Sequence, residues 1–530
     1  MLSRREFIKA STLAGGAVFL NFRKTWGKPS TSEFFALNDF IQSHPDAVFI
    51  LRTSVDEKTN ASALLDVGQK LGATLFVGKE DPVGAFSVDT EIILKPNITA
   101  WAWDIPPIEQ TMGIQTDPYF VEGIISSLTN LGAAQQNLFI REANYDSSRA
   151  DGKWYSDLAA RSGIDLKVFD TVDKLSAADV KWLDVPNGVW YNKIPYLSPV
   201  NAPRSCLVNI AKFKSHSMGM TLCSKNIQGT NARPYVAHCT AWGTTMAGVD
   251  PNHVVPDAFT AIKSNYDRHV AAGIPRWDIP GAASGGLWME THTARCLDNN
   301  SVVQPIVNII EGVYGREGPF VSGPEDNNGY GRDIMTNVVI FGKNARHVDV
   351  IGTYLAGHEP GNFGLFHIAI ERGLSKYLDP NSIPLYEWKL DGSATLTPLQ
   401  NFPRTPIRTL YLQKAGEPQY HMVNEPYDYS GTTLVASAKP DKPDVFHISQ
   451  NYPNPFNPST SIQYYIPKSG NVRLEIFDIR GSLVDVLVDN YAHAGDHVAV
   501  WNSQRKASGT YFYRLLYEGS SQTKSMVLLK

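Results

Sequence analysis

Apolar residues keep two different periods in this chain, and the place where one gives way to the other sets its architecture. Up to Leu355, short apolar runs alternate with stretches of helical spacing. Ala47–Leu51, Ile92–Leu94, Leu138–Ile140, Leu166–Phe169, Cys206–Phe213 and Val338–Phe341 read as strands, and Val302–Ile310 reads as a further buried run. Phe34–Ile41, Ala61–Lys70, Tyr119–Leu131, Leu158–Arg161, Val255–Ala272 and Val348–Leu355 carry helical spacing instead. Helices taking turns with buried strands predict βαβ units, hence an α/β central domain whose mainly parallel sheet is covered on both faces. From Thr395 to Leu412 the pattern reads as extended.

After Phe446 only two-residue alternation remains. Ile462, Tyr464 and Ile466, then Val472, Leu474 and Ile476, then Val484, Val486 and Val488 each mark one face of a strand, with Arg480-Gly481 as a turn between two of them. Val498 and Val500 precede Trp501, and Tyr511–Leu516 makes a late strand. About seven short strands in roughly 85 residues predict a C-terminal, all-β, immunoglobulin-like sandwich. The polar, proline-bearing stretch from Ala436 to Pro443 separates the two patterns. The expected organisation is a leader at 1–29, a central domain at 30–435, a linker at 436–445 and a sandwich at 446–530.

Composition narrows the partners. A formal charge of -4 argues against nucleic acid, which selects a basic face. The four cysteines, Cys206, Cys223, Cys239 and Cys296, all fall in the central domain and include no Cys-x-x-Cys pair, so neither a ferredoxin-type cluster nor a zinc ribbon is supported. His216, Cys223, His238 and Cys239 form one local group of metal-binding residue types, and Glu290, His292 and Cys296 another, but neither spacing matches a zinc pattern. The sequence assigns no metal and no cofactor.

At the N-terminus, Ser3-Arg4-Arg5-Glu6-Phe7-Ile8-Lys9 precedes the apolar run Ala10–Phe22 with Gly15 and Gly16 inside it. This order resembles a twin-arginine export signal, and the resemblance implies the twin-arginine machinery as a partner and export of an already folded protein. A bilayer core needs about 20 apolar residues, and Asn21, Arg23 and Lys24 end this run early, so a stable transmembrane anchor is not expected. No small-x-small cleavage pattern follows at Thr25–Pro29.

Gln450-Asn451-Tyr452-Pro453-Asn454-Pro455-Phe456-Asn457-Pro458, Ala494-Gly495 with His497, Ser508–Arg514 and terminal Leu528-Leu529-Lys530 resemble the C-terminal sorting domains of type IX secretion substrates. The resemblance implies the type IX machinery as a partner, a periplasmic stage, and a final location at the cell surface or outside.

In the centre, Lys95-Pro96-Asn97, Gly113–Pro118, and Val208–His216 followed by Thr221 and Lys225-Asn226-Ile227-Gln228-Gly229 resemble the family called domain of unknown function 362, with Glu311-Gly312 and Val348-Asp349 fitting its later half. Some members carry ferredoxin-type cysteines; this chain does not. Ligands of a parallel α/β sheet sit beyond the carboxyl ends of its strands, which is where Lys95, Asn97, Lys214 and His216 fall. Lys95, Lys214 and Lys225 offer cationic donors, Asn97 and Asn226 neutral donors and acceptors, and Thr116 an oxygen at a helix start, a set suited to a small anionic ligand such as a carboxylate or phosphate. His216 with Lys214 is the candidate catalytic pair, and Asp349 and Glu311 are candidate proton acceptors or metal ligands. Two classes fit: an enzyme with an anion-accommodating cleft, and a non-catalytic cell-surface binding protein.

Overall fold

The computed structural model describes residues 33–82, 84–98, 112–142, 150–167, 176–232, 253–280, 285–318, 323–324, 331–431, 446–448, 450–451, 454–468, 470–492, 495–503 and 506–529. The expected twin-arginine leader at 1–29, the 436–445 stretch, His238 and Cys239 lie outside them. The chain divides into two compact units, one ending at Thr433 and the other beginning at Leu434.

A ten-stranded sheet organises the first unit. Its strands are β1 (Val48–Arg52), β2 (Glu91–Pro96), β3 (Leu138–Arg141), β4 (Asp165–Lys167), β5 (Ser205–His216), β6 (Gly219–Thr221), β7 (Val307–Arg316), β8 (Asp333–Gly342), β9 (Leu385–Trp388) and β10 (Ala394–Leu396). Their order across the sheet is β10-β9-β1-β8-β7-β5-β2-β3-β4, with β6 folded back on β5. The run β7-β5-β2-β3-β4 is parallel. On its other side, β8 pairs antiparallel with both β7 and β1. The sheet is therefore mixed: the parallel run fits the expectation, β9 pairs parallel with β1, and β8 is an antiparallel strand set between the two, which sequence does not reveal because apolar runs buried on both faces look alike whichever way their neighbours point.

The helices are α1 (Ala61–Leu75), α2 (Pro118–Asn130), α3 (Ala150–Ser162), α4 (Cys223–Asn226), α5 (Ala258–Ala271), α6 (Gly286–Val302), α7 (Ala345–Leu355) and α8 (Gly364–Glu371), with a single turn at Asp39–Ser43. Strand alternation divides them between two layers. Phe49, Leu51, Ile92, Leu94, Val208, Ile210, Val339 and Phe341 bury one face under Leu64 and Leu71 of α1, Phe120 and Ile124 of α2 and Leu158 of α3. Val48, Ile50, Ala211, Phe213, Ile310, Val338 and Ile340 bury the other under Leu297 of α6, Val348 and Ile351 of α7 and Phe366 of α8.

Three expectations change locally. Phe34–Ile41 is not one helix: Phe34–Leu37 is a strand paired with Phe76–Lys79, and the Asn38 side chain accepts from the Phe40 N–H to start the short helix after it. Both pieces bury onto one core, which mimics helical spacing. Val302–Ile310 joins the end of α6 to the start of β7. Within Thr395–Leu412 only Ala394–Leu396 is strand.

The second unit contains β11 (His447–Ile448), β12 (Ser459–Ile466), β13 (Gly470–Phe477), β14 (Leu483–Ala492), β15 (Gly495–Asn502), β16 (Gly509–Tyr517) and β17 (Ser520–Leu528). They form two antiparallel sheets, β11-β12-β15 and β14-β13-β16-β17. Ile462, Tyr464 and Trp501 from the first share one apolar core with Leu474, Ile476, Tyr513 and Leu515 from the second, an arrangement consistent with a β-sandwich.

Candidate functional site

Parallel pairing of β2, β5 and β7 sets Lys95, Asn209 and Asn308 in one row across three strands. Lys95 is wholly buried. Its Nζ donates to Glu142 Oε2 at 2.8 Å, to the Pro96 carbonyl at 2.7 Å and to Asn226 Oδ1 at 3.1 Å. Asn226 in turn donates from Nδ2 to the Lys95 carbonyl at 2.9 Å and to Asn209 Oδ1 at 2.8 Å, and Asn209 donates to the Cys223 carbonyl and to Asn308 Oδ1. This closed network ties the short helix α4 down onto the sheet. A Cβ at Gly229 would lie 2.3 Å from Glu142 Oε1 and 2.7 Å from Lys95 Nζ, so bare backbone covers the ion pair.

A second set occupies the same rows three residues on. Lys212 stands beside Glu311 in register, ion-pairs with it at 2.6 Å and lies 3.3 Å from the centre of the Tyr314 ring. Glu311 also accepts from the Asp117 N–H at 3.1 Å, and Tyr314 donates its hydroxyl to Asp117 at 2.7 Å. Burial pushes the Glu311 carboxyl up and the Lys212 ammonium down, each against the pull of its partner. Thr116 bridges the two strands: its Oγ1 donates to the Ile210 carbonyl at 2.8 Å and accepts from the Asn97 N–H at 2.9 Å. The oxygen that caps α2 belongs to Asp117 rather than Thr116.

Lys214 and His216 lie inside the last residues of β5, not in a loop beyond it, where they pair with Thr221 and Gly219 of β6. Both are buried. Met218 donates its N–H to His216 Nδ1 at 3.2 Å, which in the neutral ring leaves the proton on Nε2. Burial, then Lys225, Lys214 and His292, push the His216 imidazole well below its ordinary range. Burial, then Lys225 and Arg295, do the same to His292. Lys225 also opposes the charge on Lys95. It is half-buried on α4, and among the described residues no carboxylate ion-pairs with it. Thus Lys225, Lys214, His216 and His292 share one electropositive region, whereas Lys95, Asn97, Thr116 and Asn226 belong to the network beneath it.

Asp349 bonds backbone: its oxygens accept from the Cys223 and Ser224 N–H groups at the start of α4. Sequence reasoning missed Glu142, Lys212 as the partner of Glu311, and Gln228, whose Nε2 lies 2.9 Å from Cys296 Sγ; it did group Cys296 with His292, whose Nε2 lies 3.3 Å from that sulfur. The i, i+4 spacing of His292 and Cys296 was the readable sign of that contact. Among the described residues no three metal-ligating side chains come together.

All these residues fall between β2 and α7. Residues 92–354 match the family described as domain of unknown function DUF362. Every candidate position, from Lys95 to Asp349, lies in the DUF362 segment. Residues 450–529 match a secretion system C-terminal sorting domain, which directs export to the cell surface or outside through the type IX machinery. Among the described residues no helix is long and apolar enough to cross a membrane. No curated protein matches the chain significantly. Among solved structures, an engineered protein shares 13% identity over 35% of this chain and 44% of its own, with a TM-score of 0.13. A Cellulomonas fimi endo-beta-1,4-mannanase double mutant shares 9% identity over 93% of this chain and all of its own, also with a TM-score of 0.13. The chain spans less than half the length of the first, and at these scores neither likeness carries an argument about fold or function.

Proposed function

We propose that the exported protein binds a small oxyanion between the end of β5 and α4, with Lys225 and Lys214 as its cationic donors and the His216 Nε2–H as a neutral donor. The observation that carries this reading is Lys225, an ammonium half out of water whose charge acts on Lys95, His216 and His292 and to which no carboxylate is ion-paired among the described residues. An ammonium with no carboxylate of its own offers an anion a charge-assisted hydrogen bond. The adjacent network of Lys95, Glu142, Asn209 and Asn226 supports the floor of the site and leaves the ligand to the outer residues.

Binding without turnover is favoured over acid–base catalysis by the state of the two imidazoles. A histidine held neutral well below its ordinary range is a weak base at neutral pH. An anion beside it would pull its pKa back up, so the enzyme reading requires the ligand itself to activate His216. Isothermal titration of the full chain with inorganic sulfate tests the proposal: Lys225→Ala and Lys214→Ala should each weaken binding about tenfold to a hundredfold, the worth of one charge-assisted hydrogen bond. Wild-type affinity in both variants would end it.

For the rest of the chain, we read 1–29 as a twin-arginine signal recognised through Arg4 and Arg5, 30–435 as the ligand-binding domain, 436–445 as a linker, and 446–530 as an immunoglobulin-like sandwich whose work is sorting.

A further inference from the structure

The Asp349 carboxylate belongs to α7 but acts on α4. Its Oδ1 accepts from the Cys223 N–H at 2.7 Å and its Oδ2 from the Ser224 N–H at 2.8 Å. Those are the first two residues of a helix whose remaining two are Lys225 and Asn226. The four-residue helix runs directly into a 3-10 turn over Ile227–Thr230, but at its start the residue preceding it, Leu222, has no side chain that bonds the free N–H groups. At the far end, Asn226 is fixed to Lys95 and Asn209. Lys225 therefore projects from a short segment clamped at both ends, and Asp349 is the clamp at the start.

We propose that Asp349 is the positioning residue of the anion site and that its ionisation gates the site. Ionised, it accepts both N–H groups and holds Lys225 toward the ligand. Protonated, one of its oxygens becomes a donor facing another donor, one N–H loses its acceptor, and the start of α4 loosens. This inference rests on the anion-binding reading above.

The groups acting on the carboxyl are few. Burial lifts it to about 6, against the bonds from Ser224 and Cys223 and the charge of Arg346. The Arg346 guanidinium is itself held by the Leu374 carbonyl and Asn300 Oδ1. Burial, with Asp349 beside it, pushes the Cys223 thiol well up, so it stays protonated. His216 and His292 are held neutral well below the same window. Among the groups named here, Asp349 is the one whose change of charge falls between about pH 5 and 7.5.

Inorganic sulfate keeps its charge through this range and is the probe. Titrated into the full chain, it should bind about tenfold more weakly at pH 5 than at pH 7.5, the equivalent of one lost hydrogen bond. Asp349→Asn, whose amide offers a single acceptor and does not titrate, should bind weakly at both pH values with no slope. A flat wild-type profile overturns the inference, as does Asp349→Asn with wild-type affinity and slope. The wild-type profile decides even if the variant does not fold. The two readings fail differently: intact sulfate binding in Lys225→Ala removes the anion site, while lost binding in Lys225→Ala with unaltered Asp349→Asn removes the positioning role alone.

Discussion

Three lysines of the sheet region look alike in sequence and differ in what their charges meet. Lys95 and Lys212 are buried against Glu142 and Glu311, whereas Lys225 has no such partner among the described residues. Lys95→Ala should therefore act on stability: removing one partner of a buried ion pair costs about 3–5 kcal/mol, read as a lower denaturant midpoint, with little of the selective affinity loss expected of Lys225→Ala. His269 gives a second test at this scale. It bridges Glu290 at 2.7 Å and Glu371 at 3.0 Å, and although burial opposes the charge, the bonds to the two carboxylates raise its pKa to about 9. Because the folded value lies above the ordinary one, this contribution is complete below about pH 6.5 and disappears as the pH rises through about 9. Chemical denaturation at pH 6 and pH 10 should show that loss in the wild type, and His269→Gln should flatten it. An unchanged slope in the variant would mean other groups carry it.

Between elements, glycines set the closest approaches. A Cβ on Gly123 of α2 would meet the Leu65 carbonyl oxygen at 2.3 Å and the Gln69 nitrogen at 2.5 Å, both on α1. Gly123→Ala must push the helices apart and should destabilise the first unit by about 1–3 kcal/mol, the usual cost of overpacking; an unchanged melting temperature would show that the two helices yield freely. Gly229→Ala should disturb the Lys95–Glu142 pair for the same reason. Such approaches explain which parts of the molecule were legible beforehand. Single elements with a clear period, such as α2, β3 and the strands after Phe446, follow from their own residues. Strand direction does not, because β8 carries the same buried apolar pattern as its parallel-paired neighbours and only its turns decide its sense. The site was half readable: strand ends located Lys95, Lys214 and His216, but a sequence cannot tell a lysine whose partner is Glu142, brought from another strand end, from one left for a ligand. Asp349 was noticed as a carboxylate, but its bonds to Cys223 and Ser224 could not be read, since backbone N–H groups have no letter in the sequence.

At the scale of the molecule, the two units should separate by function. A chain truncated at Pro440 should lose delivery to the surface and keep its affinity for sulfate, measured by fractionation and titration; surface delivery by the truncated form would contradict the sorting role. Replacing Arg4 and Arg5 by Lys should stop export at the inner membrane. The order of strands bears on the twin-arginine route proposed above. Synthesis runs from the N-terminus, so β1 emerges before every other strand of the central sheet, with Val48, Phe49, Ile50 and Leu51 ready for burial. Its two neighbours are β8 and β9, made only after most of the first unit has left the ribosome. Until then a strand destined for the interior has an open edge on each side, the condition that invites pairing with the wrong chain. A protein built this way gains from waiting where chaperones are at hand, and the twin-arginine route proposed above would let that wait end in the cytoplasm rather than on the far side of the membrane.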